Sequence, residues 1–254
     1  MQWARKVLFW PVFLLGHLLA VSLLAWHLLA QVNFVYPLGY RLLNIEQHIQ
    51  EFGPSNRYKQ DFAQTTPAEH LDLFAQITRA VQNHGQGLAE ISYRLPDGTT
   101  TLLMRNAEVI HLQDVANLID VFYGAGIIGA LIWMVLLGIA FKKQFSLPPL
   151  KKILLGFLTS IIGITLVIFI TGPTKVFYWL HEQIFPDEHE WFFYYQDSLM
   201  TTLMKAPDLF GFIAVILVIL MMLLWSLTIW GMIKLLPSLA QQLPQSSQKK
   251  RRKK

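Results

Sequence analysis

Two histidines, His111 and His181, stand at comparable distances outside two different hydrophobic stretches, each within a polar and aromatic cluster. His111 falls between Glu108 and Asp114, shortly before a long apolar run. His181 closes the segment that begins Phe177, Tyr178, Trp179, shortly after another. An imidazole at a boundary between water and lipid takes up and returns a proton near neutral pH, beside a substrate held in lipid. Such chemistry at a membrane surface needs the two rings to meet in space. That is decided by the elements that carry them.

The 254-residue chain is 54% hydrophobic and only 15% charged, against about 25% charged in soluble domains. Its mean hydropathy is +0.40. Four apolar stretches, at residues 7–30, 118–141, 153–171 and 209–233, reach the ~20 residues that a bilayer-spanning helix needs. The predicted fold is a membrane α-helical, four-transmembrane-helix bundle. A small exoplasmic α+β cap at 31–117 joins the first two spans, and an aromatic interfacial loop at 172–208 joins the last two. Arg5 and Lys6, the lysine-bearing loop at 142–152 and the basic tail within 234–254 share one side, while all 16 carboxylates lie in or at the edge of the other two connections. The positive-inside rule then puts both termini and the 142–152 loop in the cytoplasm, with the cap and aromatic loop outside. The first span exceeds a signal-peptide core of about 7–15 residues, and Leu28-Leu29-Ala30 is a poor cleavage site, so it is expected to stay as an anchor. Cysteine is absent, which excludes disulfides, thiolate catalysis and cysteine–zinc sites. The net charge of +5 is carried by the tail, and contact with anionic lipid accounts for it more simply than nucleic acid does.

Within the cap, Leu42, Leu43, Ile45 and Ile49 recur at helical spacing and predict a helix over 40–51 that stops at Phe52-Gly53-Pro54. Thr66, Pro67 and Glu69 suit the N-cap, first position and N3 of a second helix, whose apolar stripe is Leu71, Phe74, Ile77 and Val81. Alternation over 88–95 and 99–104, around Pro96-Asp97-Gly98, predicts a β-hairpin. From Asn106, a suitable cap, the helical pattern continues unbroken into the second span. Glu108, His111 and Asp114 then lie one turn apart on one stripe, with His111 on the order of 10 Å above the start of the span. The third connection is dense in aromatics with acids interleaved, a composition suited to headgroup depth. Pro207 fits the first turn of the last span.

Spacing alone leaves each histidine with two readings. Glu108 or Asp114 holds the His111 tautomer and stabilises an imidazolium, or the three form ordinary charge pairs on a solvated helix face. His181 is a reactive group, or it belongs to an interfacial aromatic belt. His17 and His27 point to different faces of the first span and need no special role. His48, His70, His84 and His189 are expected at the solvated surface. Two histidines with Glu108 or Asp114 could hold zinc, but no H-E-x-x-H and no i, i+4 histidine pair is present, so a general base asks for fewer coincidences. No G-x-S-x-G elbow supports a serine hydrolase, and neither Ser92 nor Ser198 has favourable neighbours. The nearly uniform apolar character of the last two spans argues against a transporter. A non-catalytic scaffold or sensor, whose cap binds a lipid or protein partner, is the alternative from another class. Nothing in the sequence sets the oligomeric state.

The motif E-x-x-H-x-x-D-V (Glu108, His111, Asp114, Val115) precedes a span. A later run reads H-x-x-x-F, W, D-x-L and P-x-x-F (His181, Phe185, Trp191, Asp197, Leu199, Pro207, Phe210). With the four-span layout, these resemble the DUF1461 integral membrane family, which includes bacterial lipoprotein intramolecular transacylases. The chain departs from the family pattern at Leu180, where phenylalanine is common, and at Tyr194-Tyr195, where aspartate–proline is expected. The resemblance implies an acyltransferase of the bacterial cytoplasmic membrane, working among membrane lipids on diacylglyceryl-modified lipoproteins. The sn-2 acyl chain would move to the α-amine of the same cysteine, giving a lyso-form lipoprotein with no soluble cofactor. His111 and His181 would be the reacting pair, with Trp191 and its aromatic neighbours seating the acyl chains. On that footing His111, oriented by Asp114 or Glu108, is expected to be the general base and His181 the proton donor or oxyanion partner, with the reverse order also open. Attack within one molecule gains from high effective molarity. A hydrolase that releases the same chain to water is a further rival.

Overall fold

The computed structural model describes residues 2–145 and 147–242. In chain order the elements are α1 (Gln2–Gln31), α2 (Tyr36–Leu42), α3 (Ile45–Phe52), α4 (Pro67–Val81), β1 (Ser92–Arg94), β2 (Thr100–Leu102), α5 (Asn106–Lys143), α6 (Leu150–Thr171), α7 (Pro173–Ile184), α8 (Leu199–Met204) and α9 (Asp208–Gln242). The lysine-rich end of the tail, at 249–254, lies outside the described residues. Four helices are long and apolar enough to cross a membrane: Leu8–Gln31, Asn106–Lys143, Leu150–Thr171 and Asp208–Lys234. The protein is thus a multi-pass helical membrane protein with a small two-stranded sheet. At 1.5 Å per residue, α5 is about 57 Å long, close to twice the ~30 Å hydrocarbon core. The helix is therefore longer than one crossing requires.

The chain forms two compact units. One gathers the described residues of Met1–Leu24, Ala125–Ile170 and Leu220–Lys254. Its interior is Phe13, Val21, Ile153, Trp225, Ile229 and Met232, and Trp133 packs against this cluster. Helices α1 and α5 approach closely where glycine removes a side chain. A Cβ on Gly16 would lie 2.9 Å from the Gly129 carbonyl oxygen, and one on Gly129 would lie 2.6 Å from Leu19 Cβ. Small residues at such crossings are what allow dispersion contacts to hold helices together in lipid, where no hydrophobic drive exists. The outward face is apolar, with Phe169 and Ile170 about four-fifths exposed. His17 is fully buried here, with Nε2 2.8 Å from Thr228 Oγ1. The Thr228 hydroxyl donates to the Leu224 carbonyl and so accepts from the imidazole.

The other unit comprises Ala25–Gly124 and Thr171–Ile219. Helix α4 starts as the sequence predicts: Thr66 Oγ1 accepts the Glu69 N–H at 3.2 Å, and Phe74, Ile77 and Val81 are buried. Strands β1 and β2 pair antiparallel, with Tyr93 opposite Thr101 and the Tyr93 ring wholly buried. Residues 88–90 form a 3-10 turn instead of extending the hairpin. The helix expected over 40–51 is broken between α2 and α3, where Asn44 adopts the left-handed conformation (φ 52°). Two histidines expected at the surface are in the core. His48 shares the buried face of α3 with Ile45 and Ile49, an i, i+3, i+4 stripe. His70 receives the Tyr40 hydroxyl at Nδ1 and donates from Nε2 to Thr65 Oγ1, both at 2.7 Å, because the Thr65 hydroxyl is already committed to the Phe62 carbonyl.

The third connection is not one interfacial loop. Its first part, α7, exposes Phe177, Tyr178, Trp179 and Leu180. Its second part turns inward: every residue of α8 is buried, and Phe193, Leu199, Leu203 and Leu209 complete the same core as Tyr36, Ile49, Leu73 and Leu103. Apolar character identifies a segment that leaves water. It does not say whether lipid or protein receives it.

Candidate active site

Helix α5 begins under a buried carboxylate. Glu108 is 1% exposed, and its Oε1 accepts the Ser198 hydroxyl at 2.6 Å and the Met200 N–H at 3.2 Å. Its Oε2 accepts the Arg105 N–H at 2.7 Å, with the Arg105 Nε at 3.7 Å. Ser198 caps α8 at the same time, through the Thr201 N–H. Glu108 therefore fastens the start of α5 to the start of α8, and both of its oxygens are engaged there. Asp114 is also turned elsewhere: its Oδ2 lies 2.6 Å from His189 Nδ1. Neither carboxylate hydrogen-bonds His111, contrary to the expectation from spacing. Each is engaged by a partner that comes from another part of the fold or from the residue just before α5: Ser198, Met200 and Arg105 at Glu108, and His189 at Asp114.

His111 packs against Phe185 and Phe193, with ring centroids at 4.9 and 5.8 Å. Its Nδ1 is buried and has no hydrogen-bond partner among the described residues. Burial pushes this imidazole down to about 4, and the neighbouring His181 adds to the shift while Asp114 opposes it. At neutral pH His111 is an uncharged imidazole. His181, near the end of α7, donates Nδ1–H to the Phe177 carbonyl at 2.8 Å. That bond commits Nδ1 as the donor, so that in the neutral ring Nε2 carries the lone pair. The His181 ring rests against Phe177 (4.0 Å), Trp191 (4.8 Å) and Phe185 (5.3 Å). Because both imidazoles touch the Phe185 ring, their centroids are at most about 10 Å apart.

The structure thus brings together His111, His181 and Trp191, and gives Glu108 and Asp114 other partners. Sequence reasoning missed two participants: Ser198 locks the carboxylate at the start of α5, and His189 occupies Asp114. Phe185, part of the motif that carries the family resemblance, lies against both imidazoles. Ser198 carried a signal, since a serine ahead of a short apolar run is a helix cap. His189 carried none, as it meets Asp114 only through the tertiary fold. Among the described residues, no three histidines, aspartates or glutamates converge in a set able to hold a metal ion.

Four helices long and apolar enough to cross a membrane define an integral membrane protein, and two imidazoles meet at one aromatic ring within it. The model of the family described as lipoprotein intramolecular transacylase Lit matches residues 12–206. The chain belongs to this family, and it is an acyltransferase. Its fold is similar to the structure of the membrane integral lipoprotein intramolecular transacylase Lit from Bacillus cereus, solved with one histidine replaced by arginine. That similarity has a TM-score of 0.57 at 19% identity and covers 100% of this chain and 98% of the other. No curated protein matches.

Proposed function

We propose that this enzyme moves the sn-2 acyl chain of a diacylglyceryl-modified lipoprotein from glycerol to the α-amine of the modified cysteine. The observation that carries this reading is the unlike state of two neighbouring imidazoles: His181 has one nitrogen committed to a carbonyl and one lone pair free, and His111 is desolvated and neutral. A free lone pair is what a general base needs. A neutral imidazole donates an N–H to a developing oxyanion without being an acid strong enough to protonate it prematurely. His181 Nε2 takes a proton from the cysteine α-ammonium, and the amine attacks the ester carbonyl. His111 donates its N–H to the tetrahedral oxyanion. Collapse breaks the bond to the glyceryl oxygen, which leaves with a proton returned by His181. The nitrogen sheds two protons in all, one ending on the alcohol and one in water. This reverses the order of roles first expected from the sequence.

The same proposal puts both termini in the cytoplasm, and His111 and His181 at the outer face of the bacterial cytoplasmic membrane. The distribution of charge along the chain supports that orientation. Trp191 and the exposed aromatics of α7 suit acyl chains at headgroup depth. Mass spectrometry of a lipoprotein N-terminus, after co-expression with the enzyme, tests the reaction. The expected product keeps the mass of the substrate and carries an amide-linked chain. Loss of the chain from the molecule would mean hydrolysis instead. Replacing His181 or His111 by alanine should abolish the product while the protein still inserts, and full activity in either variant would overturn the assignment.

A further inference from the structure

A third histidine lies within this site without a role in the reaction as proposed above, on which the present inference rests. His189 sits on the segment between α7 and α8, three residues beyond Pro186, whose carbonyl accepts its N–H at 3.0 Å. Its Nδ1 lies 2.6 Å from Asp114 Oδ2, with the aspartate side chain 15% exposed. Asp114 is the acid one turn along α5 from His111. A carboxylate so placed would ordinarily bond the imidazole and favour its charged form. Here its oxygen is taken by His189, and His111 Nδ1 is left buried and unpartnered. The segment that supplies His189 also supplies Phe185 and Phe193, the two rings against His111.

We propose that His189 is a positioning residue: by holding Asp114 it keeps that carboxylate from His111, and it closes the 185–193 segment over the imidazole. The consequence is chemical as well as mechanical. An imidazole without a carboxylate partner stays neutral and keeps an N–H for the substrate. Paired with Asp114, it would charge more readily and spend that N–H on the aspartate. The groups that bear on His111 are accounted for. Glu108 is bonded to Ser198, Met200 and Arg105; His181 shares contact with the Phe185 ring; Asp114 is held by His189. On the segment itself, Asp187, Glu188 and Glu190 flank His189 in sequence.

The test is a titration of the His111 imidazole by NMR, in histidine-labelled full-length protein in detergent micelles, with the resonance assigned by its loss in His111→Asn. In His189→Ala the freed carboxylate should raise the His111 midpoint by about one pH unit or more, a tenfold change in protonation equilibrium. His189→Asn keeps an N–H donor beside Asp114 and should leave the midpoint where it is in the native chain. The double variant His189→Ala with Asp114→Asn should return it there. An unmoved midpoint in His189→Ala overturns the proposal, and so does a shift that Asp114→Asn fails to reverse. The titration needs no turnover, so its outcome is separate from that of the alanine variants in the product assay.

Discussion

At the scale of single residues, the two carboxylates flanking His111 show how motif spacing and function part company. Glu108 is a buried joint whose removal would strand the Ser198 hydroxyl and two backbone N–H groups. Each unsatisfied buried polar group costs about 1–3 kcal/mol. Glu108→Ala is therefore expected to destabilise the protein by several kcal/mol on that scale, with Glu108→Gln milder. Thermal unfolding in detergent checks this, and an Ala variant as stable as the native chain would refute it. His70 supplies a second expectation. Burial holds it down to about 4, whereas in an unfolded chain it titrates near its usual 6.5. Between these values the unfolded state binds more protons, so stability falls as pH drops from about 6.5 towards 4 and is insensitive to this group above that window. His48 and His111 are shifted in the same sense and add to the effect. Melting temperatures measured across pH 4–8 should fall on the acid side; a flat profile there would contradict the assignment. The sequence revealed which residues cluster at the start of α5, because helical spacing is local information. It concealed their partners, because Ser198 and His189 arrive from some 75 to 90 residues further along.

At the scale of elements, the parts governed by local rules were legible. The Thr66 cap, the Asp97–Gly98 turn and the uninterrupted run of α5 from Asn106 all follow from residue chemistry within a few positions. The parts governed by packing were not. The stripe of Ile45, His48 and Ile49 is visible once His48 is allowed to be apolar-facing, and α8 is visible once burial in protein is weighed against burial in lipid. Helix crossings give a sharper prediction than either. Gly129 and Gly126 would each place a Cβ within 2.7 Å of a side chain on α1, so Gly129→Val should lower the melting temperature in detergent through overpacking worth about 1–3 kcal/mol. Gly138 has open space where its Cβ would go, and Gly138→Ala is expected to be silent in the same assay. Equal effects at the two positions would argue against this crossing.

At the scale of the whole molecule, length, apolar runs and charge asymmetry were sufficient to specify a four-span protein, because a bilayer imposes its thickness on any helix that crosses it. The lack of cysteine makes the proposed orientation easy to test, since a single introduced thiol has no background. With Asp97→Cys in intact cells stripped of their outer barrier, a membrane-impermeant maleimide should label the chain; with Lys143→Cys it should label only after lysis. The opposite pattern would invert the topology. The burial of α8 has a further consequence, for biogenesis. Residues 31–117 cannot close their own core: Leu199, Leu203 and Leu209 plug it, and they are synthesised only after two more hydrophobic helices. His181, Phe185 and Trp191 come late in the same stretch. Of the two imidazoles proposed to react, a nascent chain carries only His111 until its third spanning helix has been made. In that proposal, the order of translation would act as a safety catch, leaving a half-built enzyme without its second reacting group among the lipids it is threaded through.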